Sequence, residues 1–596
     1  MRTDFNLYAT FHRLLDTPLK QGILASAIIV SATLLPFLLV PYEDFRYCDE
    51  TYQAYCCAHY ERAYLGMLSF YIGNIWMKLF GETLIALRVL MTLCYIASVA
   101  IGCLYLRLKG ISPLKTSLVY LIGTLGVILS YLPLYGWDAG AYPFTALGII
   151  STLLYLEKPS WKRAAAIGLS AGLMMLSRIP LVAFIPFYIL IIFIKKKKAD
   201  GAPRNSGWVR DAVVALAATA LAILGLTTLM AGSPAEYLAA VRPENTVAAH
   251  SAGDIGWIMT RCVEHAYATY DMLLPGCAAL LLACYFAKTE RASIPLMIFS
   301  AMVVYYMLRG AVWNQDSMRG FFWSNSGIII PAAFITVFFG PLRAMAYPFA
   351  ARTEHKDGTA HAGTGIAPSL VLVFFALLQA FGSNSPVERV GWGLAMVFGF
   401  GVFRKEFQSV SKFTFYFLSF TALTVSGFFV LKARTLSHIY GNPIELSYAT
   451  SYNGTRPFGN EYYIVESVDS IKFVADNAER MGLGNIVVGR DLNGYNFGFG
   501  EKGVNAGIRF DVYTEDLYRD YLGQNKNNAA DIVVCLNINR DSLFEARLAT
   551  DGYLPYQNTF YPFLSIWAKD SVIGRLPADP FKEWGYRPRR DARRDG

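Results

Sequence analysis

The chain has 596 residues, of which 54% are hydrophobic and only 16% charged, with 53 Lys and Arg against 44 Asp and Glu for a formal net charge of +9. A mean hydropathy of +0.35 over this length is too apolar for a soluble enzyme. Composition therefore excludes a cytosolic globular protein and predicts a polytopic α-helical membrane protein, with no nucleic acid among its expected partners.

The first apolar run, 21–41, follows Arg2, Arg13 and Lys20. It is longer than a signal-peptide core and lacks a small-residue cleavage site, so it reads as a retained first helix. A hydrocarbon core of about 30 Å asks for roughly 20 apolar residues per helix. That rule places spans at 21–41, 83–106, 115–134, 141–156, 163–178, 179–194, 211–231, 272–287, 292–308, 325–342, 367–382, 388–403 and 413–431, thirteen in all. Several are only 16 residues long, and the pairs 163–194 and 367–403 are where the count is most open.

Between the first two spans, residues 42–64 read YEDFRYCDETYQAYCCAHYERAY. A stretch so rich in acids and tyrosines cannot lie in hydrocarbon and must face water at one end of the bundle. It holds Asp49 beside Glu50, flanked by Tyr47, Tyr52 and Tyr55. Adjacent carboxylates push one of their two pKa values upward, which suits one of them to accept a proton from a hydroxyl nucleophile; a pair of solvated loop acids is the plainer alternative. Cys48, Cys56 and Cys57 lie in the same loop, where an oxidising compartment would allow a disulfide among them. Elsewhere Cys94, Cys103, Cys277 and Cys284 read as packing residues, Cys262 and Cys535 stay unassigned, and no Cys/His spacing reads as a zinc site.

Residues 63–81, AYLGMLSFYIGNIWMKLFG, are apolar but carry Asn74, Lys78 and many aromatics, and run into the next span without a polar break. The whole is far longer than one span needs, so this half is expected to lie along the interface as an amphipathic helix. With the N-terminus inside, every inner loop is basic: Arg107, Lys109 and Lys115; Lys158, Lys162 and Arg163; residues 195–198; Lys288 and Arg291; Arg343, Arg352 and Lys356; Arg404, Lys405 and Lys412. The odd span count then puts the chain after Leu431 outside.

That region, 432–596, is polar and punctuated by Gly, Asn and Asp. Short β-like runs at 485–488 (NIVV) and 531–536 (DIVVCL), with helix-like stretches at 465–481 and 541–548, predict a small α/β domain, and the charged residues 587–596 read as a disordered basic tail. Two domains follow, a transmembrane unit over 1–431 with its first outer loop at 42–82, and an extracytoplasmic unit over 432–596.

An acidic pair in a long first outer loop, an amphipathic stretch ending in LFG, and a span opening on Leu87-Arg88 resemble the GT-C superfamily of membrane glycosyltransferases, in the branch of the protein O-mannosyltransferases and bacterial aminoarabinose transferases. Residues 168–180, GLSAGLMMLSRIP, are similar to the small-residue span ending in a basic residue that this family places midway along its chain, and residues 135–142, YGWDAGAY, supply a further lone acid, Asp138. The resemblance covers the first 200 residues by motif and the rest by architecture. The tyrosine spacing after the acidic pair departs from the family pattern, so the catalytic acid is Asp49 or, second, Glu50, with Asp138 as a further acid.

The resemblance implies a polyprenyl-phosphate-linked sugar as donor, a hydroxyl on an unknown glycan, lipid or protein as acceptor, and an active site on the periplasmic side of a bacterial inner membrane. The residues independently ask for an anion. Arg178, Arg242, Arg261, Arg309 and Arg319 fall on the outer side against the usual charge bias, with Arg88 opening its span, and guanidinium groups suit phosphate. For Arg178 the alternative is a side chain that snorkels to lipid headgroups. Residues 233–271 and 309–326, with His250 and Trp313, mix aromatics and hydrogen-bonding groups as a carbohydrate-contact surface would, alongside Tyr52 and Tyr55. The reaction is expected to be metal-independent or weakly metal-dependent, with a divalent metal left open as an accessory and no residue assigned to hold one. A transporter or flippase would show inverted repeats and paired broken helices, which the sequence lacks; a non-catalytic assembly subunit is the third class.

Overall fold

Long apolar segments form the helices that build the body of the protein. The computed structural model describes residues 17–39, 53, 56–58, 60, 68–81, 84–130, 135–199, 207–240, 366–378, 392–402, 477–478, 480–483, 485–488, 531–536, 546, 548–556 and 564–576. The helices of the apolar part are α1 (Pro18–Leu39), α2 (Leu68–Phe80), α3 (Leu84–Leu108), α4 (Pro113–Ser130), α5 (Trp137–Glu157), α6 (Trp161–Ser177), α7 (Phe184–Ala199), α8 (Gly207–Ala231), α9 (Pro234–Ala240), α10 (Ile366–Leu378) and α11 (Trp392–Val402), with a 3₁₀ turn at Ile179–Ala183. Among the described residues, nine of the expected spans are helical, 179–194 as the 3₁₀ turn followed by α7. The spans expected at 272–287, 292–308, 325–342 and 413–431 lie outside the described residues.

Four described helices are long and apolar enough to cross a membrane, Pro18–Phe37, Ala86–Leu108, Asp138–Glu157 and Gly207–Ala231, and the protein is an integral membrane protein. A helix of 25 residues such as α3 or α8 reaches about 37 Å, more than the hydrocarbon core requires. Successive helices reverse direction, so the ends at Leu108, Glu157 and Ala199 and the starts at Pro113, Trp161 and Gly207 gather at one end of the bundle. Lys109 forms an ion pair with Glu157 there, Tyr105 donates to Glu157 Oε1 at 3.0 Å, and Arg163 donates to the carbonyls of Leu154 and Lys158, the latter at 3.0 Å. Asp211, not singled out from the sequence, is fully buried at this same basic end and accepts from the Tyr155 hydroxyl at 3.0 Å.

α5 is the hub, packed against α3, α6 and α10, and the close helix approaches around it are made by glycine. A Cβ on Gly148 would lie 2.9 Å from Met174 Sδ and 3.1 Å from the Phe375 ring. On the far side of α6, Gly168 and Gly172 meet α8 backbone to backbone: a Cβ on Gly168 would strike the Ala215 carbonyl, and one on Gly172 would lie 2.7 Å from Ala222 Cβ. Helices in lipid gain nothing from hiding apolar surface from one another, so close backbone approach between small residues is what holds them. Thr219 reinforces the seam by donating to Gly168 O at 3.0 Å and pairing with the Tyr188 hydroxyl at 3.1 Å. Across from this seam, α7 meets α10 through Phe187 and Phe374, stacked at 3.7 Å between centroids.

Two boundaries differ from expectation in ways that matter. α5 begins at Trp137 rather than at 141, so Asp138 stands in the first helical turn and not in a loop, where its charge complements the exposed N–H groups. α6 stops at Ser177 because Pro180 has no N–H and its ring would clash with the carbonyl four residues back, which leaves Arg178 as the extended C-terminal cap.

In the C-terminal region a four-stranded sheet has the order β1-β2-β4-β3, with β1 (Asn485–Val488), β2 (Ile532–Leu536), β3 (Tyr553–Tyr556) and β4 (Leu564–Lys569). β1 and β2 pair in parallel, Asn485 opposite Ile532, and the other two pairings are antiparallel. The first two strands fall where the sequence places them; β3, which contains Pro555, and β4 were not anticipated. The helix before β1 ends as a left-handed Gly turn, with Gly482 at φ 69° and the Leu483 N–H bonded back to Ala478 O at 2.9 Å. A short helix, α12 (Asp570–Ile573), follows β4.

The α6–α8 seam yields a direct test. Gly168→Ala is expected to lower thermal stability in detergent by about 1–3 kcal/mol or more, because backbone cannot step aside for the new methyl, whereas Gly225→Ala, whose Cβ would meet nothing within 4 Å, should be neutral or stabilising by about 1 kcal/mol. Equal melting curves for the two variants would show that the seam is not close-packed.

Candidate active site

The site is built at the end of the bundle opposite the lysines, where α5 starts and α6 ends. Arg178 Nε lies 3.1 Å from Asp138 Oδ1, with the arginine side chain 3% and the aspartate 15% exposed. The burial of Arg178 inside protein disposes of the snorkelling alternative: its guanidinium is enclosed and paired instead of reaching for headgroups. Arg88 stands in the second turn of α3 at this same end, fully buried, with its carbonyl accepting from Thr92 Oγ1 at 2.9 Å. Deeper in the bundle, Tyr95 of α3 and Tyr142 of α5 pack edge to face at 5.1 Å.

α2 lies across these helix ends and is fastened to them by polar side chains in an otherwise apolar sequence. Ser69 donates to Ser177 O at 3.1 Å, Tyr135 donates to Ser69 O at 2.8 Å, and Trp76 Nε1 donates to Ala86 O at 2.8 Å. The fit is close: a Cβ on Gly140 would lie 2.6 Å from Ser69 Cβ, and one on Gly73 would lie 2.9 Å from the Tyr135 ring. Burial, with Cys94 and Cys57 adding to it, holds the Tyr135 phenol well above its ordinary pKa, so it stays a donor.

The chain just after the acidic pair is held to the same layer. Gln53 is buried with its side chain against Gly136, two residues from Asp138. Asn74 of α2 donates to Cys57 O at 2.8 Å and to Ala58 O at 3.2 Å. Tyr60 donates to Met230 O near the end of α8 and meets Tyr71 edge to face at 5.1 Å. Cys56 and Cys57 are both buried, and burial followed by the neighbouring Cys56 raises the Cys57 pKa, which keeps it protonated. Cys48, the third cysteine of the expected disulfide set, lies outside the described residues.

Of the residues expected from sequence, the structure therefore brings Asp138 and Arg178 together and sets Arg88 at the same end. Asp49, Glu50, Tyr52, Tyr55, Arg242, Arg261, Arg309, Arg319, His250 and Trp313 lie outside the described residues. Ser69, Gln53 and Tyr135 were missed. The signal for Ser69 was available, since a serine in a helix whose neighbours are Leu68 and Phe70 has few reasons to be there except a hydrogen bond. Among the described residues, no three His, Cys, Asp or Glu side chains gather as a metal site.

Residues 66–225, just over a quarter of the chain, match the family model of dolichyl-phosphate-mannose-protein mannosyltransferases. The resemblance to GT-C membrane glycosyltransferases is borne out over this stretch. The matched region contains Ser69, Arg88, Asp138 and Arg178 and begins beyond the acidic pair. No curated protein sequence matches the chain. Among solved structures, ArnT from Cupriavidus metallidurans bound to undecaprenyl phosphate is similar at 10% identity and a TM-score of 0.40, covering 94% of this chain and 99% of ArnT. The oligosaccharyltransferase AglB from Archaeoglobus fulgidus, in complex with an inhibitory peptide and a dolichol-phosphate, is similar at 12% identity and a TM-score of 0.45, covering 94% of this chain and 75% of AglB. Likenesses this distant do not carry a function across, so the GT-C resemblance rests on the family match over residues 66–225.

An enclosed ion pair is expensive to break from one side. Asp138→Ala should destabilise the protein by about 3–5 kcal/mol, since it takes the carboxylate from beside a buried guanidinium, and the double variant Asp138→Ala/Arg178→Met should recover most of that loss. Thermal melting of the purified protein in detergent checks both, and a single variant as stable as the wild type would mean that the pair does not hold the helix ends together.

Proposed function

We propose that the protein is a glycosyltransferase that moves a sugar from a polyprenyl-phosphate donor to a hydroxyl acceptor at the outer face of the membrane, with inversion at the anomeric carbon. The observation that carries the reading is the buried Asp138–Arg178 pair at the helix ends onto which the chain following Asp49 and Glu50 is fastened, inside the stretch that matches the mannosyltransferase family. Asp49, or Glu50 in its place, takes the proton of the acceptor hydroxyl. The acceptor oxygen bonds to the anomeric carbon as the bond from that carbon to the phosphate oxygen breaks, and the polyprenyl phosphate leaves with the electron pair. Its growing negative charge is where fixed donors count most, and Arg178, oriented by Asp138, is the candidate donor, with Arg88 at the same bundle end. Asp138 is thus read as the partner that aims Arg178, while the remaining outer arginines, His250 and Trp313 are assigned to donor and acceptor contacts.

The chain after Leu431 is read as an extracytoplasmic α/β domain, because the basic ends gathered at Lys109, Lys158 and Arg163 mark the cytoplasmic side. An impermeant thiol reagent applied to intact cells should label a single-cysteine variant within 432–596, and protection until lysis would reverse the orientation.

The activity is tested by supplying purified protein with polyprenyl-phosphate sugars and an acceptor extract and measuring released polyprenyl phosphate. Asp49→Asn should cut turnover by about 10²- to 10⁴-fold with donor binding retained, and a comparable loss confined to Glu50→Gln would move the base to the neighbour. Arg178→Lys should lose part of the donor affinity, because an ammonium cannot reproduce the planar fork. Release of no polyprenyl phosphate by wild-type protein, with movement of lipid-linked sugar across proteoliposomes instead, would replace the transferase by a flippase.

A further inference from the structure

We propose that Ser69 of α2 is a positioning residue for Arg178, fixing the direction in which its guanidinium meets the donor phosphate; the inference rests on the proposed function. Peptide groups are planar, so the carbonyl of Ser177 and the N–H of Arg178 turn as one unit. That unit is held at both ends. The Arg178 N–H bonds to Met174 O at 2.9 Å, the last turn of α6, and the Ser177 carbonyl accepts from Ser69 Oγ at 3.1 Å. Ser177 O is one of the terminal carbonyls that a helix cannot satisfy itself, and the serine's own hydroxyl is turned back to Leu173 O at 2.8 Å. With that plane pinned only the rotation about N–Cα remains to set the Cα–Cβ direction of Arg178, and the next peptide holds it, since the Arg178 carbonyl accepts from the Leu181 N–H at 3.0 Å.

The other side of Ser69 reaches the other member of the pair. Its carbonyl accepts from Tyr135, three residues before Asp138, and its Cβ occupies the space that Gly140 leaves open two residues after Asp138. Ser69 is fully buried, and it bridges the start of α5 to the end of α6 along a path parallel to the Asp138–Arg178 contact. A serine holding only α2 in place would need one of these contacts; the two together bracket the ion pair from both helices.

The test uses the full-length protein in detergent and measures binding of a polyprenyl phosphate without its sugar, alongside donor kinetics. Ser69→Ala should weaken polyprenyl-phosphate binding by about two- to tenfold, the loss of one hydrogen bond's worth of orientation, raising the donor KM with little change in kcat. In an Arg178→Lys background the same substitution should have less than half that effect, since an ammonium has no plane to orient. Tyr135→Phe, which removes the hydrogen bond to the Ser69 carbonyl and leaves the serine in place, should shift binding in the same direction and guards against a folding defect peculiar to Ser69→Ala. An equal weakening in both backgrounds, or normal binding in Ser69→Ala while Arg178→Lys is impaired, overturns the positioning role and leaves the proposed function standing. Wild-type protein that binds no polyprenyl phosphate overturns both.

Discussion

A charge in a membrane protein must be enclosed, and the Arg178–Asp138 contact dictates how this end of the bundle is built. An unpaired guanidinium at this depth would be costly, so α5 has to begin and α6 has to end at the same level, side by side. Two helix ends side by side also expose orphan backbone groups, and something must cover them. α2 does so, and the apolar character of that helix, broken by Ser69 and Asn74, is what a cover with specific fastenings requires. The chain after the acidic pair is tied into the same layer at three points, Cys57 to Asn74 of the cover, Gln53 against Gly136 before α5, and Tyr60 to Met230 of α8.

The two ends of the bundle use charge in opposite ways. At the basic end, Lys109 and Arg163 are tied to Glu157 and to helix carbonyls, an arrangement that neutralises helix C-termini and needs no ligand. At the other end, among the described residues, the Asp138–Arg178 pair and Arg88 are buried where α2 covers the helix ends. Asp211 sits outside this division: it is fully buried near the basic end and joins α8 to α5 through Tyr155, which reads as a structural tie.

Hydropathy made most of the helices legible because the signal is summed over many residues: α3, α4, α6 and α8 fall within a few residues of the expected spans. The same averaging hid the site. Asp138 was read as a loop acid because a window centred on apolar residues discards the first, more polar turn of α5. Arg178 was legible since an arginine closing an apolar stretch before a proline has little reason to be there by chance. Its partner was not, as nothing in one dimension says that residue 138 and residue 178 share a helix end. Gly136 and Gly140 likewise mean nothing until Gln53 and Ser69 are seen in the space they leave. In the C-terminal region the β-branched runs at β1 and β2 announced themselves, while β3 is four residues long and contains a proline.

The fastenings of α2 share a property with a bearing on descent. Ser69, Asn74 and Trp76 each bond to a main-chain carbonyl, at Ser177, Cys57 and Ala86, and so does Tyr135 at Ser69. A carbonyl is present whatever residue bears it. The donor in each contact is therefore under selection while the residue supplying the acceptor is free to drift, within the limits of packing, and the two positions have no need to change together. Lineages can exchange Ser177, Cys57 or Ala86 and keep the cover in place, so that homologues of this bundle can diverge far in sequence while losing none of its joints, and methods that look for paired substitutions will pass over them.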